Sequence, residues 1–257
     1  MKHGSLVLSI AALVAVLALP AAWSQAPAEL RAEVEETLLR RVNIGGPTHL
    51  EWLRDLAQRR ELSAEQMQNV LLDIVQAGLG ATADDRRGRL LLGFAVDTLR
   101  HYPGAKAAPV LRRVVAQAGT ETGTKWGALT ALVWGADEDL TEVVRGLLSE
   151  KGLLDDLDRY TVLQALVARL SGASDPPAGS RSQAPDVKAF LAEYVQSEPS
   201  TDTVIEVDRY LRNADPDYAG SAARRTLLER GATSTVPAHK EYFAGELQAF
   251  KGGGVPR

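Results

Sequence analysis

The chain contains no cysteine. Disulfide staples, thiol nucleophiles, thiolate-held zinc or iron–sulfur clusters and lipid attachment through a leader cysteine are therefore excluded. Aromatic residues make up only 5 % of the sequence, and there are 4 His in 257 residues. His49, His101 and His239 lie far apart, with no H-x3-H or H-E-x2-H spacing. No metal site and no cofactor are expected from such a set. There is no G-x-S-x-G elbow. Gly252–Gly254 follows no strand and precedes no helix, so it lacks the setting of a phosphate-binding loop. A net charge of −4 gives no general pull on nucleic acid, which is not an expected partner. No alternating apolar run of useful length points to a strand.

What is present begins with a leader. Lys2 and His3 precede the uninterrupted apolar run Leu6–Leu19, which Pro20 breaks. Ala22-Trp23-Ser24 then offers small residues for cleavage before Gln25. Residues 1–24 read as a secretory signal peptide, because the run is shorter than the roughly 20 residues a spanning helix needs. If retained, Gly4–Trp23 would serve as a tilted membrane anchor. The expected location is periplasmic or secreted, with no stable membrane insertion after cleavage.

Beyond the leader, apolar residues recur at helical spacing through residues 25–250. Examples are Val34, Leu38, Leu39 and Val42, then Leu50, Leu53, Leu56 and Ala57. Ser63-Ala64-Glu65-Gln66 is a capping box opening a helix that Gly78 is expected to close. Asp84-Asp85, Asp137–Asp139 and Asp155–Asp158 precede apolar helices and read as caps, lacking the order of a calcium loop. Breakers such as Pro103-Gly104, Gly119, Gly135, Gly152 and Gly231 cut the chain into short helices, and short connections imply antiparallel neighbours. Ser171–Pro185 is rich in Pro, Gly and Ser and is expected to be a mobile insertion; 251–257 is expected to be a frayed tail.

The helices repeat. KWGALTALV at 125–133 aligns with RYTVLQALV at 159–167 at a spacing of 34, and stepping back by 36 reaches Arg89, Ala95 and Val96. Val110, Leu111, Val114, Val115 and Gly119 align with Val143, Val144, Leu147, Leu148 and Gly152 at a spacing of 33. Two helix types alternate, and stacking such pairs buries apolar stripes that one pair alone leaves wet. Over residues 63–231 the pattern resembles HEAT-like repeats, although Pro109 alone stands where that family places a first-helix proline. The resemblance implies an all-α fold, a right-handed α-solenoid of antiparallel helix pairs. Tetratricopeptide repeats are the rival: their motif starts at Trp126 and Leu129 and then meets Thr130 and Val133 where Gly and Tyr belong.

Lys125, Trp126, Arg159 and Tyr160 start successive helices of one type, so a stack sets them side by side, with Arg89 in the preceding repeat. Cations beside amphipathic aromatics are typical of binding surfaces; packing between repeats is the alternative use for Trp126 and Tyr160. Paired arginines recur at 40–41, 59–60, 86–87, 112–113 and 224–225, as a partner-gripping row or as solvated helix surface. The expectation is a non-enzymatic protein–protein interaction or scaffolding module of the cell envelope, with an unidentified protein partner. The alternative is a glycan-binding domain or an accessory subunit of an envelope enzyme.

Overall fold

A computed structural model describes residues 27–252 apart from 45, 103, 105, 137–139, 151, 172–183 and 198–200. The expected leader, the body of the 171–185 insertion, the acids at 137–139 and the tail beyond 252 lie outside the described residues. The described residues form thirteen α-helices and no strand. They are α1 (Ala28–Leu38), α2 (His49–Arg59), α3 (Ala64–Leu79), α4 (Arg86–Leu99), α5 (Ala107–Ala116), α6 (Thr122–Trp134) and α7 (Leu140–Ser149). Then follow α8 (Asp156–Ser171), α9 (Ala184–Ser197), α10 (Thr201–Ala214), the single turn α11 (Pro216–Ala219), α12 (Ala222–Gly231) and α13 (Pro237–Lys251). No helix among the described residues is long and apolar enough to cross a membrane.

Local chemistry explains the boundaries. Thr48 opens α2 and Ser63 opens α3 with complete capping boxes: Thr48 N–H donates to Glu51 at 2.7 Å, and Ser63 N–H to Gln66 Oε1 at 2.8 Å. Asp85 caps α4 by accepting from Gly88 N–H at 2.8 Å. At the start of α8, Asp155 accepts from Asp158 N–H at 2.8 Å, and Asp158 from Asp155 N–H at 3.2 Å. Gly119 and Gly152, 33 residues apart, take the same left-handed conformation after α5 and α7, with φ of +82° and +80°. Pro109 sits exposed in the first turn of α5, where a missing N–H costs little.

Two local expectations are corrected. Gly78 does not close α3. It lies inside the helix, because a side chain there would meet Leu92 Cβ at 2.7 Å, and the helix ends on Gly80. The first helix stops at Leu38, ahead of the glycine- and proline-containing stretch 43–47, so Val42 is exposed rather than on the apolar stripe.

Packing follows alternation along the chain. Helices α4, α6, α8, α10 and α13 each pack on the next, forming one ladder. On the other side, α1 packs on α3 and α3 on α5, while α7 packs on α9 and α9 on α12. Cross-links such as α3 with α4, α5 with α6 and α9 with α10 join the two sets. A continuous core runs between them from Val34 to Phe243. The repeat alignment predicts its contents: Leu129 and Leu163, Ala131 and Ala165, and Leu132 and Leu166 are all buried. Truncating such a leucine to alanine costs about 2–5 kcal/mol, so each repeat is held by a few of these positions.

Carbonyl groups at several helix C-termini are met by side chains from a neighbouring helix. Arg169 on α8 donates to Val133 O and, at 2.8 Å, to Ala136 O at the end of α6. Arg230 on α12 does the same for Gln196 O and Val195 O of α9. Gln117 donates to Leu79 O of α3 at 3.2 Å. A donor or cation at a helix C-terminus satisfies carbonyls that have no partner within the helix.

Candidate functional site

The residues of the expected row lie near the starts of α4, α6 and α8. Its cations, however, serve the next helix. Lys125 on α6 donates to the carboxylate of Asp158 on α8 and, at 3.3 Å, to Leu153 O. Asp158 is 3 % exposed, so this contact supplies the counter-charge of a buried carboxylate. One repeat earlier, Arg89 on α4 stands 3.9 Å from Glu121 beside the start of α6, with both side chains largely exposed. Trp126 is half-buried against the core. Arg159 and Tyr160 are half-buried too. The Tyr160 hydroxyl is pushed up in pKa by burial, then by Glu206 and Asp202.

A different feature has the form of a ligand site. A cavity of 580 Å³ lies across α2, the end of α4, α6 and α8. Leu50 and Arg54 come from α2, and Arg100 and His101 from the end of α4. Thr130 and Trp134 come from α6, and Thr161, Gln164, Ala165 and Ala168 from α8. That volume is typical of sites for small ligands or short peptide segments. Gln164 donates to the Tyr160 hydroxyl at 3.4 Å, which ties the cavity rim to the row of helix starts.

Aligned positions of two contacting helices border the cavity. Trp134 and Ala168 are 34 residues apart and share one register of α6 and α8, while Arg100 caps the end of α4 beside them. Where one repeat places an indole, the next places a methyl group. A ladder that keeps its helix spacing while losing that much side chain leaves a hole, because packed interiors relax only in part.

Its electrostatics are one-sided. Two guanidiniums, Arg54 and Arg100, line it, and among the described residues no carboxylate does. Arg100 Nη1 approaches Asp97 at 3.5 Å on the exposed side of α4, and Arg100 Nε donates to His101 Nε2 at 3.0 Å. His101 is held below the usual histidine pKa by burial first, then by the Arg100 charge, with Arg54 acting the same way and Asp97 opposing. A ring kept neutral is the acceptor that Arg100 requires. Trp134 is 6 % exposed and its indole N–H has no acceptor among the described residues.

The paired arginines divide between local acids and neighbouring helices. Arg59 meets Asp55 at 3.0 Å on its own helix, while Arg60 reaches Glu33 of α1 at 2.9 Å. Arg87 reaches Glu35 at 3.4 Å. Arg224 is the exception, being buried with Asp208 between α10, α12 and α13. Among the described residues no group of three or more His, Asp or Glu is placed to hold a metal ion.

The cavity residues were not singled out from the sequence. Thr130 and Gln164 share the 34-residue register of Lys125 and Arg159, and Trp134 and Ala168 continue it. Extending the alignment by a few residues brings out the Trp-to-Ala step. No family model, no curated protein and no solved structure matches the chain.

Proposed function

We propose that this chain is a non-enzymatic binding scaffold of the cell envelope. In this reading its helix pairs stack as a right-handed, HEAT-like α-solenoid, and the ladder α4–α6–α8 offers its cavity face to a protein partner. The observation that carries it is the cavity itself, shared by successive helices and lined, among the described residues, by two arginines and no carboxylate. The neighbour-to-neighbour packing of two helix sets supports the stacked arrangement. The sequence of residues 1–24 supports export.

Site-specific photo-crosslinking tests it. A benzophenone side chain at position 164, on the cavity rim, is compared with one at exposed position 113 on α5, in the other helix set. The expected result is one discrete protein adduct from 164 and none from 113, in cells that make the protein natively. Equal labelling from both positions, or none from either, overturns the reading.

A further inference from the structure

We infer that the cavity across α2, α4, α6 and α8 is a carboxylate-recognition site for an extended acidic segment of a partner polypeptide. The inference rests on the binding-scaffold reading and names the chemistry that the scaffold recognises.

Charge gives the first half. Arg54 lines the cavity and has no hydrogen bond or ion pair among the described residues. The Asp97 contact of Arg100 is solvent-facing, with side chains 39 % and 60 % exposed, and such pairs contribute little. Glu51, one turn before Arg54, accepts through Oε2 from Thr48 N–H at 2.7 Å and from the Thr48 hydroxyl at 3.0 Å, and it also feels the Arg54 charge. Two guanidiniums thus line a cavity that, among the described residues, holds no carboxylate. Guanidinium groups bind carboxylates as paired donors, and a cavity wall strengthens the interaction over that in open water.

The Trp134 indole supplies the second half. A buried N–H without an acceptor costs about 1–3 kcal/mol, and native structures seldom leave one so. Trp134 borders the cavity, and its indole N–H, closed off from water, meets an incoming oxygen atom only if the ring turns toward it. Leu50, Ala165 and Ala168 add an apolar wall beside the polar donors. Thr130, Thr161 and Gln164 provide hydroxyl and amide groups of the kind that meet peptide N–H and C=O groups. An acidic sugar fits less well, since a ring needs an open aromatic face and Trp134 leaves only 6 % of its surface accessible.

The probes are short synthetic peptides. One is N-acetyl-Ala-Leu-Glu-Leu-Ala-amide, the second its Gln isostere, and the third N-acetyl-Ala-Leu-Ala-Leu-Ala with a free C-terminal carboxylate. Sodium acetate and polygalacturonate are the comparison ligands. The readout is the indole 15N–1H resonance of Trp134 in the purified protein, assigned by its loss in Trp134→Phe. The expected result is a saturable shift with the Glu peptide, the free-carboxylate peptide, or both, and at least tenfold weaker binding of the Gln isostere. Which acidic peptide binds more tightly tells a side-chain carboxylate from a chain end. Arg54→Gln and Arg100→Gln each weaken binding about tenfold with Tm unchanged, while Arg113→Gln on α5 has no effect. Ala168→Leu abolishes the shift by filling the cavity, with every charge left in place.

Equal binding of the Glu and Gln peptides overturns the inference. So does a shift produced by polygalacturonate alone, or by acetate as strongly as by peptide. A specific crosslink at position 164 with no response to either acidic peptide sinks the carboxylate assignment and leaves the scaffold standing. Peptide binding without any crosslinked protein removes the protein-partner reading instead.

Discussion

Arg224 and Asp208 meet as a two-pronged pair in the core, with Nε to Oδ1 at 2.9 Å and Nη2 to Oδ2 at 3.3 Å. Asp208 is 0 % exposed. The Tyr218 and Tyr242 hydroxyls donate to its two oxygens at 3.1 and 3.0 Å. Glu246 of α13 accepts from the same Arg224 at 2.6 Å and from Arg212 at 2.5 Å. Burial, the Asp208 charge and hydrogen bonding to Asp208 push both tyrosine pKa values up, so the hydroxyls remain donors across the working pH range. Helices α10, α12 and α13 are thereby joined through one polar centre whose two cations balance two carboxylates.

Breaking that balance is expected to be costly. Asp208→Asn leaves a buried guanidinium facing a neutral amide, and removing one partner of such a pair typically costs about 3–5 kcal/mol. Tyr242→Phe removes one hydrogen bond to a charged acceptor and should cost about 1.5–3 kcal/mol. Urea denaturation of the two variants checks both values. An Asp208→Asn loss below that of Tyr242→Phe contradicts the assigned hierarchy.

Two glycines on the same helix hairpin should respond in opposite directions. A Cβ on Gly231 at the end of α12 would lie 2.2 Å from the Phe243 ring of α13, so Gly231→Ala forces the helices apart. An overpacked core costs about 1–3 kcal/mol. Gly245, within α13, has nothing within 4 Å of the same position. Gly245→Ala should therefore stabilise the protein by about 0.5–1 kcal/mol through helix propensity alone. Thermal unfolding of the pair reads both signs, and Phe243→Leu in the Gly231→Ala background should recover part of the loss.

This contrast marks where sequence reasoning ends. The capping boxes at Thr48 and Ser63 and the glycines at 119 and 152 act through residues close in the chain, so local pattern reveals them. Repeat register likewise exposes the buried Leu129 and Leu163. Gly78 and Gly231 owe their identity to Leu92 and Phe243 on the following helices, which local pattern does not contain. Arg224 belongs to an arginine pair like four others, and only the placement of Asp208 and Glu246 makes it a core residue. Trp134 and Ala168 both read as ordinary apolar positions. The cavity is a difference between repeats, invisible in either one alone.

Arg169 should stabilise its neighbours more than distant repeats. It is 5 % exposed and holds the last carbonyls of α6 from α8. Charged hydrogen bonds contribute about 1.5–3 kcal/mol each, so Arg169→Ala should cost at least about 3 kcal/mol locally. In a stack stabilised by nearest-neighbour contacts, that loss stays near its origin. Hydrogen exchange should accelerate in α6 and α8 while α3 and α13 keep their wild-type protection. Uniform acceleration through all helices would instead indicate one closed cooperative core.

His101 should make stability depend on pH in a defined direction. Its folded pKa lies below the ordinary histidine value of 6.5, through burial and the charges of Arg100 and Arg54, with Asp97 opposing. Between the folded pKa and 6.5 the unfolded chain binds the proton more readily than the folded one. Stability contributed by the neutral ring is therefore fully present above 6.5 and declines as the pH falls through that window. The wild type should lose stability between pH 7 and 5 relative to His101→Gln, whose side chain does not titrate, when both are followed by urea denaturation at each pH. Bound carboxylate would offset the two guanidiniums and raise the His101 midpoint. A titration of its ring resonances with and without the acidic peptide measures that shift, and a midpoint unmoved by peptide would place the ligand away from Arg100.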